Sequence, residues 1–239
     1  MIKEPIIMCI QGNPALVEEL NADKEKLEYS FRIIDEFVRL YWQLLHWREN
    51  TWYMGIPTVK FPTDMWIYNE IIYETRPDIL IETGTWFGGS ALFFAHAFDA
   101  VGNGMVITID TIRRNVPNHP RIQYLNGRSD DKIIIEKVKS QLNGAKVMVI
   151  LDSEHHHEAV LKELKIYAPL VTTKQYLIIE DTISGGNPVN AYDVDGKIVT
   201  LGPIQAVRDY LINNPDFELD FSREKFLLTT NRMGYWRRK

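Results

Sequence analysis

The chain has 239 residues, of which 45% are hydrophobic, and it carries a formal net charge of −5. This length fits one α/β domain with an N-terminal extension, and the apolar content is sufficient for a core. The interspersed charges form no basic stripe, which argues against a nucleic-acid partner. The single cysteine, Cys9, excludes an internal disulfide and a cysteine metal site. No signal-peptide pattern and no run of about 18 apolar residues is present, so we expect a cytoplasmic protein without a membrane span.

Two helices are predicted ahead of the α/β region. Apolar residues recur at spacings of three and four over residues 21–50, which is typical of an amphipathic helix. Irregular sequence follows, and Thr63-Asp64 has the composition of a helix cap for a second helix over 65–75. We expect that helix to end before Arg76-Pro77, because proline favours an extended conformation in the residue before it.

From residue 78 onward, predicted strands alternate with predicted helices. The strands cover 78–82, 105–110, 122–125, 147–152 and 176–180, and the helices cover 89–98, 130–141, 156–167 and 203–213. This alternation predicts a doubly wound, mostly parallel sheet of the Rossmann-like α/β class. Two further β-like runs, 217–221 and 226–230, are too close together for a crossover helix and are predicted to pair antiparallel. We expect an N-terminal helical extension over 1–62 and an α/β domain over 63–239, packed as one unit.

The first of these strands leads into a glycine-rich turn. Glycines stand at 84, 88 and 89, and Glu82 precedes the first of them by two residues. This spacing differs from the dinucleotide fingerprint and argues against a nicotinamide oxidoreductase. An acid and a glycine in this arrangement, with a second acid ending the next strand, are instead what S-adenosylmethionine (SAM) binding needs. A tight strand-to-helix turn without a ligand is the alternative.

The SAM hypothesis gives individual residues a role. Glu82 is expected to take the ammonium at the methionine end of the cofactor, and Gly84 lets the chain turn. Asp110 closes the next strand and can accept both ribose hydroxyls through its two carboxylate oxygens. The other residues expected in the cofactor site are Thr85, Gly88, Ser90, Ser129 and Asp152.

Three acids stand at the ends of neighbouring predicted strands. Asp152 ends one strand, and Glu180 and Asp181 end the next. Converging carboxylates repel one another, so either some are protonated or a cation lies between them. Oxygen ligands favour Mg²⁺, and Mn²⁺ is also compatible. The alternative is that each acid caps a separate helix or turn.

A histidine closely follows the first of these acids. The pKa of a histidine suits a general base near neutrality, and His155 could face a substrate hydroxyl at the metal. Asp152 is the alternative base. His156 and His157 are interpreted as the exposed first turn of a helix. His156 and Glu158 also fit part of an iron(II) oxygenase site, but such sites lie on β-barrels and the strand–helix alternation argues against one.

Two further features suggest how an acceptor is bound. The irregular stretch 182–201 follows the end of a strand, where ligands bind in such sheets, and we predict that it forms a lid. The aromatic residues Trp52, Tyr53, Trp66 and Trp86 could form a platform for a sugar face, although core packing is the commoner fate of such residues.

Several motifs occur together in one order along the chain. They are Glu82-x-Gly84-Thr85-x-x-Gly88-Gly89-Ser90, Asp152-Ser-x-His155, Ile179-Glu180-Asp181-Thr182, Pro62-x-Asp64-x-Trp66 and Phe226-Leu-Leu-Thr-x-Asn231-x-x-Gly234-Tyr235. On these motifs the chain resembles the cephalosporin hydroxylase/rhamnosyl O-methyltransferase family, from about residue 52 to residue 238. One departure is Arg128, which precedes Ser129 where many relatives carry an acid, and it affects the adenine-side contacts.

The resemblance implies a class I SAM-dependent methyltransferase fold and Mg²⁺-dependent methylation of a hydroxyl. It implies Asp152, Glu180 and Asp181 as metal ligands and His155 as general base. A sugar on a glycan, a lipid or a natural product is the favoured acceptor. A catechol-like small molecule is an alternative acceptor, and a non-catalytic SAM- or nucleotide-binding module is the alternative to an enzyme. We also expect a homo-oligomer.

Overall fold

The computed structural model of the protein describes residues 18, 23–43, 50–185, 189, 191, 192 and 198–239. Within these ranges the main helices are α1 (Lys24–Gln43), α2 (Pro62–Thr75), α3 (Gly89–Val101), α4 (Lys132–Lys139), α5 (His157–Tyr167) and α6 (Pro203–Tyr210). The strands are β1 (Trp52–Tyr53), β2 (Ile56–Pro57), β3 (Ile79–Thr83), β4 (Met105–Asp110), β5 (Ile122–Asn126), β6 (Val147–Leu151), β7 (Tyr176–Ile179), β8 (Ala191–Tyr192), β9 (Ile198–Val199), β10 (Phe217–Leu219) and β11 (Tyr235–Arg238).

Seven strands form the central sheet, in the order β10-β11-β7-β6-β3-β4-β5. Strands β3 to β7 are parallel to one another, whereas β11 is antiparallel to both β7 and β10. Alternate residues of β3 point to opposite faces: Leu80 packs with α2 and α3, and Ile79 and Ile81 pack with α4, α5 and α6. The predicted doubly wound, mostly parallel fold with an antiparallel C-terminal pair is confirmed.

The strand register places the predicted site residues at one edge of the sheet. Thr83 lies opposite both Ile109 and Leu151, and Leu151 lies opposite Ile179. Because these strands are parallel, the residues that follow them emerge at the same edge. This edge therefore collects the glycine turn and the acids that end β4, β6 and β7.

The predicted C-terminal pairing used the wrong second strand. Residues 226–230 are irregular, and Leu227 has a φ of 63°, which no strand residue adopts. The partner of β10 is β11, where Phe217 lies opposite Arg238. The apolar run resembled a strand, but the backbone amide of Thr230 donates to the Asp64 carboxylate instead of to a neighbouring strand, and the hydroxyls of Thr229 and Thr230 also bond to Asp64.

Asp64 is also not the helix cap that its sequence position suggested. Phe61 precedes the first residue of α2, and Asp64 is buried inside its first turn. Its carboxylate accepts hydrogen bonds from the Thr229 hydroxyl, from the Thr230 amide (3.0 Å) and hydroxyl (3.2 Å), and from the Tyr235 hydroxyl (2.8 Å). Asp64 therefore fastens the C-terminal irregular segment to α2.

The N-terminal helix packs against the segments that follow β7. Val38 of α1 is fully buried and packs with Ile183 and Val189, and Asp35 pairs with Arg232 at 2.5 Å. The predicted helix residues 44–49 and much of the predicted lid lie outside the described residues. The lid and the division at residue 62 stay predictions. None of the helices in the described part of the chain has the length and apolarity that a membrane crossing requires.

Replacing Asp64 with alanine should destabilise the protein. Four hydrogen-bond donors would lose a shared buried acceptor, so we expect a loss of about 3–5 kcal/mol in the free energy of unfolding. Urea denaturation measures this loss. The matched control is Asn69→Ala at an exposed position of the same helix, which should stay within about 0.5 kcal/mol of the wild type. Equal stability of the two variants would contradict the role given to Asp64.

The effect of Asp64 should also depend on pH. Burial raises the pKa of Asp64 to about 6, although hydrogen bonds from Thr229 and Thr230 lower it. The folded state therefore holds a proton that the unfolded state, with a pKa of about 4, releases. The contribution of Asp64 to the free energy of unfolding is therefore largest below about pH 4 and falls as the pH rises through the folded-state pKa of about 6. The difference between wild type and Asp64→Ala should narrow between about pH 4 and pH 7.

Candidate active site

The turn after β3 contains two glycines with positive φ angles, a backbone conformation that other residues rarely adopt. Gly84 has a φ of 92°, and a Cβ atom at this position would lie 1.9 Å from the carbonyl oxygen of Asp152. Gly88, with a φ of 80°, precedes the first residue of α3. This turn, the predicted cofactor loop, therefore lies directly against the end of β6. There it contacts Asp152, which belongs to the acid cluster of Asp152, Glu180 and Asp181.

Glu82 is fully buried beneath this turn. Its Oε1 accepts a hydrogen bond from the Ser90 hydroxyl (2.5 Å), and its Oε2 accepts one from the Thr108 hydroxyl (2.6 Å). Burial raises the pKa of Glu82 to about 7, while Lys60 and the two hydroxyls lower it. Both carboxylate oxygens are thus already engaged, and direct contact with the cofactor ammonium stays a prediction. Thr85 joins the group through a 2.7 Å contact with Thr108.

Asp110 is the last residue of β4 and lies at the same edge of the sheet as the glycine turn. Its Oδ2 accepts a hydrogen bond from the Trp86 amide (2.9 Å), and its Oδ1 accepts one from the Ile112 amide (2.8 Å). The Arg114 guanidinium lies 3.4 Å from Oδ2 and 4.4 Å from the centre of the Trp86 ring. The carboxylate is therefore held in a fixed orientation beside the glycine turn.

Ser129 lies beside a cavity of about 570 Å³. The cavity is bounded by the loop after β5, the loop after β6 and the beginning of α5, and its lining includes Ser129, Ser153 and Glu154. The Ser129 carbonyl also accepts a hydrogen bond from Tyr167 at 2.7 Å, which fixes the loop after β5. In the sheet order, β5, which precedes Ser129, lies on the opposite side of β6 from β7.

The acids at the ends of β6 and β7 meet around a lysine. Lys60 is buried, and its ammonium bonds to Asp152 Oδ2 and to Glu180 Oε2, the latter at 2.8 Å. Lys60 was not predicted from the sequence, because it stands in an irregular segment and belongs to no motif. The only available signal was a cluster of acids that lacked a counter-charge.

A histidine joins Asp152 to the third acid. His155 Nε2 lies 3.4 Å from Asp152 Oδ1 and 3.3 Å from Asp181 Oδ2. Asp181 has a φ of 53°, and its amide donates to Asn231 Oδ1 at 3.0 Å. The predicted acids and His155 are therefore brought together, with Asp152 in the centre.

Burial and neighbouring charges shift the pKa values within this cluster in different directions. Burial lowers the pKa of Lys60, but Asp152 and Glu180 outweigh it and the net shift is upward. Burial raises the pKa of Asp152, but Lys60 and His155 outweigh it and hold the value below its ordinary range. Burial raises the pKa values of Glu180 and Asp181. Burial lowers the pKa of His155, but Asp181 and Asp152 outweigh it and raise the value overall.

The two neighbouring histidines lie apart from this cluster. His157 Nε2 contacts Asp209 Oδ2 of α6 at 2.8 Å, and His156 lines the cavity beside Ser129. Both side chains are partly buried, so they are less exposed than predicted. Of the three consecutive histidines, it is His155 that faces Asp152 and Asp181.

Comparison with known proteins identifies the family of this chain. A family profile described as Rhamnosyl O-methyltransferase/CmcI matches residues 45–239. The chain belongs to the rhamnosyl O-methyltransferase/CmcI family. A rhamnosyl O-methyltransferase of Mycobacterium leprae is 35% identical over 209 residues, which cover 83% of this chain and 88% of the relative. One of Mycobacterium tuberculosis is 34% identical over 212 residues, which cover 85% and 84%.

Solved structures support the fold of this rhamnosyl O-methyltransferase/CmcI family member. A structure of CmcI with Mg and SAM has a TM-score of 0.60 and 21% identity, covering 83% of this chain and 85% of that one. A structure of CmcI with SAH has a TM-score of 0.54 and 19% identity, covering 82% and 92%. The family makes this chain a SAM-dependent O-methyltransferase, so the predicted family, enzyme class and SAM cofactor are confirmed.

Replacing Asp110 with alanine should weaken SAM binding. Loss of charge-assisted hydrogen bonds to the ribose should cost about 1.5–3 kcal/mol of binding free energy, measured by isothermal titration calorimetry. Asp110→Asn, which keeps one acceptor oxygen, should be intermediate. The control is Asp99→Ala, whose carboxylate pairs with Arg121 and His119 on the surface. Unchanged SAM affinity in Asp110→Ala would rule out the ribose contact.

Proposed function

We propose that this enzyme methylates a hydroxyl of a sugar and that Asp152, Glu180 and Asp181 hold a Mg²⁺ ion for the reaction. The observation that carries the proposal is the meeting of these three carboxylates beside His155, next to the glycine turn of the cofactor site. Relatives that are about one-third identical and cover most of the chain are named rhamnosyl O-methyltransferases, which favours a deoxyhexose acceptor.

The chemistry of the donor set fits the metal. Carboxylate oxygens are the protein ligands that Mg²⁺ prefers. Ligand atoms of Asp152, His155 and Asp181 lie within 4.8 Å of one another. Glu180 Oε1 is buried and accepts no hydrogen bond from the described residues, so it offers an oxygen whose desolvation nothing yet offsets. A small hard cation would satisfy it.

The cofactor would lie over the glycine turn. In this arrangement Asp110 binds the ribose, Gly84 and Gly88 let the backbone approach the methionine part, and Ser129 lies at the adenine end. Glu82, Thr85 and Ser90 hold the loop through hydrogen bonds that Thr108 completes. Asp152 lies between the glycine turn and the other two acids.

The reaction follows from the placement of His155. When bound, Mg²⁺ lowers the pKa of an acceptor hydroxyl and SAM supplies an electrophilic methyl group. His155 takes the hydroxyl proton, and Asp152 and Asp181 orient its ring and stabilise the positive charge that it gains. With SAM bound, the methyl group would pass to the acceptor oxygen as the carbon–sulfur bond breaks with its electron pair left on sulfur, and S-adenosylhomocysteine (SAH) would be released.

The proposal is tested by incubating the purified enzyme with SAM, Mg²⁺ and a panel of rhamnosides, other deoxyhexosides and catechols. Mass spectrometry should show the gain of one methyl group on a sugar hydroxyl. Excess chelator should stop turnover, and added Mg²⁺ should restore it. Asp181→Asn should weaken metal binding while SAM binding survives. Full turnover in excess chelator would remove the metal from the mechanism, and methylation of catechols alone would assign the alternative acceptor.

Replacing His155 with alanine should lower kcat by roughly 10²–10⁴, because general-base catalysis contributes that much. SAM affinity should change little, since the main contacts proposed for the cofactor, at Gly84 and Asp110, lie on other loops. His156→Ala and His157→Ala are matched controls on the adjacent positions and should stay near wild type. If all three variants behave alike, His155 is structural and Asp152 becomes the candidate base.

A further inference from the structure

Lys60 is a buried cation at the site proposed for a divalent metal. Its side chain is 4% exposed, and its ammonium contacts Asp152 and Glu180, two of the three proposed ligands. Each of these carboxylates thereby spends one oxygen on the lysine. A metal that needs the same oxygens has to share them with the ammonium or remove it.

The position of Glu180 shows what this pairing does to the site. The ligand atoms that lie within 4.8 Å of one another come from Asp152, His155 and Asp181, and Glu180 contributes none to that group. Its Oε2 is turned to Lys60 instead. The lysine therefore occupies one oxygen of Glu180 and links this carboxylate to Asp152.

Sharing is electrostatically unfavourable in a buried site. Mg²⁺ binds oxygen ligands at about 2.0–2.1 Å, and the ammonium already contacts the same carboxylates at hydrogen-bond distance. Two cations drawing on the same oxygens would lie within a few ångströms of each other, where solvent screens their repulsion poorly. Displacement of the flexible lysine relieves that repulsion, and repositioning of the fixed β-strands does not.

We propose that Lys60 is a built-in competitor of the metal, and that a divalent cation binds by displacing its ammonium from Asp152 and Glu180. This inference rests on the proposed function, because it takes the three carboxylates as metal ligands. In the metal-free enzyme the lysine offsets the repulsion between Asp152 and Glu180. In the metal-bound enzyme the metal offsets this repulsion instead. The observed metal affinity is then set by the difference between the binding free energies of the metal and of the ammonium at these carboxylates.

The test compares Mn²⁺ binding to the full-length wild type, Lys60→Met and Lys60→Arg, without SAM, by electron paramagnetic resonance. Methionine keeps an unbranched side chain of similar length without the charge. Lys60→Met should bind Mn²⁺ at least ten-fold more tightly than wild type, and Lys60→Arg should not. Lys132→Met, at a surface position, is the control and should match wild type. Equal or weaker binding by Lys60→Met overturns the competition.

A second measurement needs no variant at Lys60. Amine acetylation of the wild type, followed by peptide mass spectrometry, should modify Lys60 slowly without metal and faster with saturating Mn²⁺. Lys132, whose side chain is 89% exposed, serves as the internal reference and should be acetylated at the same rate with and without Mn²⁺. Unchanged protection of Lys60 in the loaded protein overturns displacement even if Lys60→Met fails to fold.

The outcomes separate this inference from the proposed function. Mn²⁺ binding of similar strength in wild type and Lys60→Met rejects the competition and leaves the metal site intact. Absence of Mn²⁺ binding in both proteins, with SAM binding retained, rejects the metal site itself and the competition with it.

Discussion

Buried negative charge at one edge of a parallel sheet is the constraint on which the site depends. The register ends β3, β6 and β7 at the same level, so the buried acids Glu82, Glu180 and Asp181 lie close to Asp152, which is partly buried. Unpaired carboxylates would repel strongly there. The structure gives them different partners: two hydroxyls for Glu82, one ammonium for Asp152 and Glu180, and an imidazole shared by Asp152 and Asp181. Because the strand ends are fixed, the hydroxyl, ammonium and imidazole groups around the carboxylates are the part of the site that can rearrange.

The backbone that carries one of these acids needs separate support. Asp181 has left-handed backbone dihedral angles, which are unfavourable for a residue with a Cβ atom. Its amide donates to Asn231, whose side-chain amide donates to Tyr68, and the residue before Asn231, Thr230, bonds to Asp64. Two motifs that are far apart in the sequence therefore meet in one buried network. Their shared task is to hold the segment after β7 in an unfavourable conformation beside Asp152.

Residue patterns predicted the parts of this arrangement that local sequence determines. Apolar runs predicted the five parallel strands, four of them ending in acids, and parallel register then required Asp110, Asp152 and Glu180 to reach one edge. Lys60 could not be predicted, because it stands 92 residues before Asp152 and 120 before Glu180, with no periodicity to relate them. The prediction of a strand over 226–230 was wrong for a similar reason, because the backbone amide of Thr230 donates to Asp64, a residue that is distant in the sequence.

The connection from β2 to α2 shows why the site extends beyond the strand ends. A Cβ atom at Gly89 would lie 1.9 Å from Thr58 Oγ1 and 2.7 Å from the Pro57 carbonyl oxygen. The missing side chain of Gly89 therefore leaves the space through which the connection from β2 to α2 passes. Two residues beyond Thr58, Lys60 reaches the acid cluster, and Phe61 packs edge-on against Tyr41 of α1 at 4.7 Å. One short segment thus contacts the cofactor loop, the acids and the N-terminal helix. Lys60 thus lies against carboxylates of the α/β domain although it precedes residue 62, where the division between extension and domain stays a prediction.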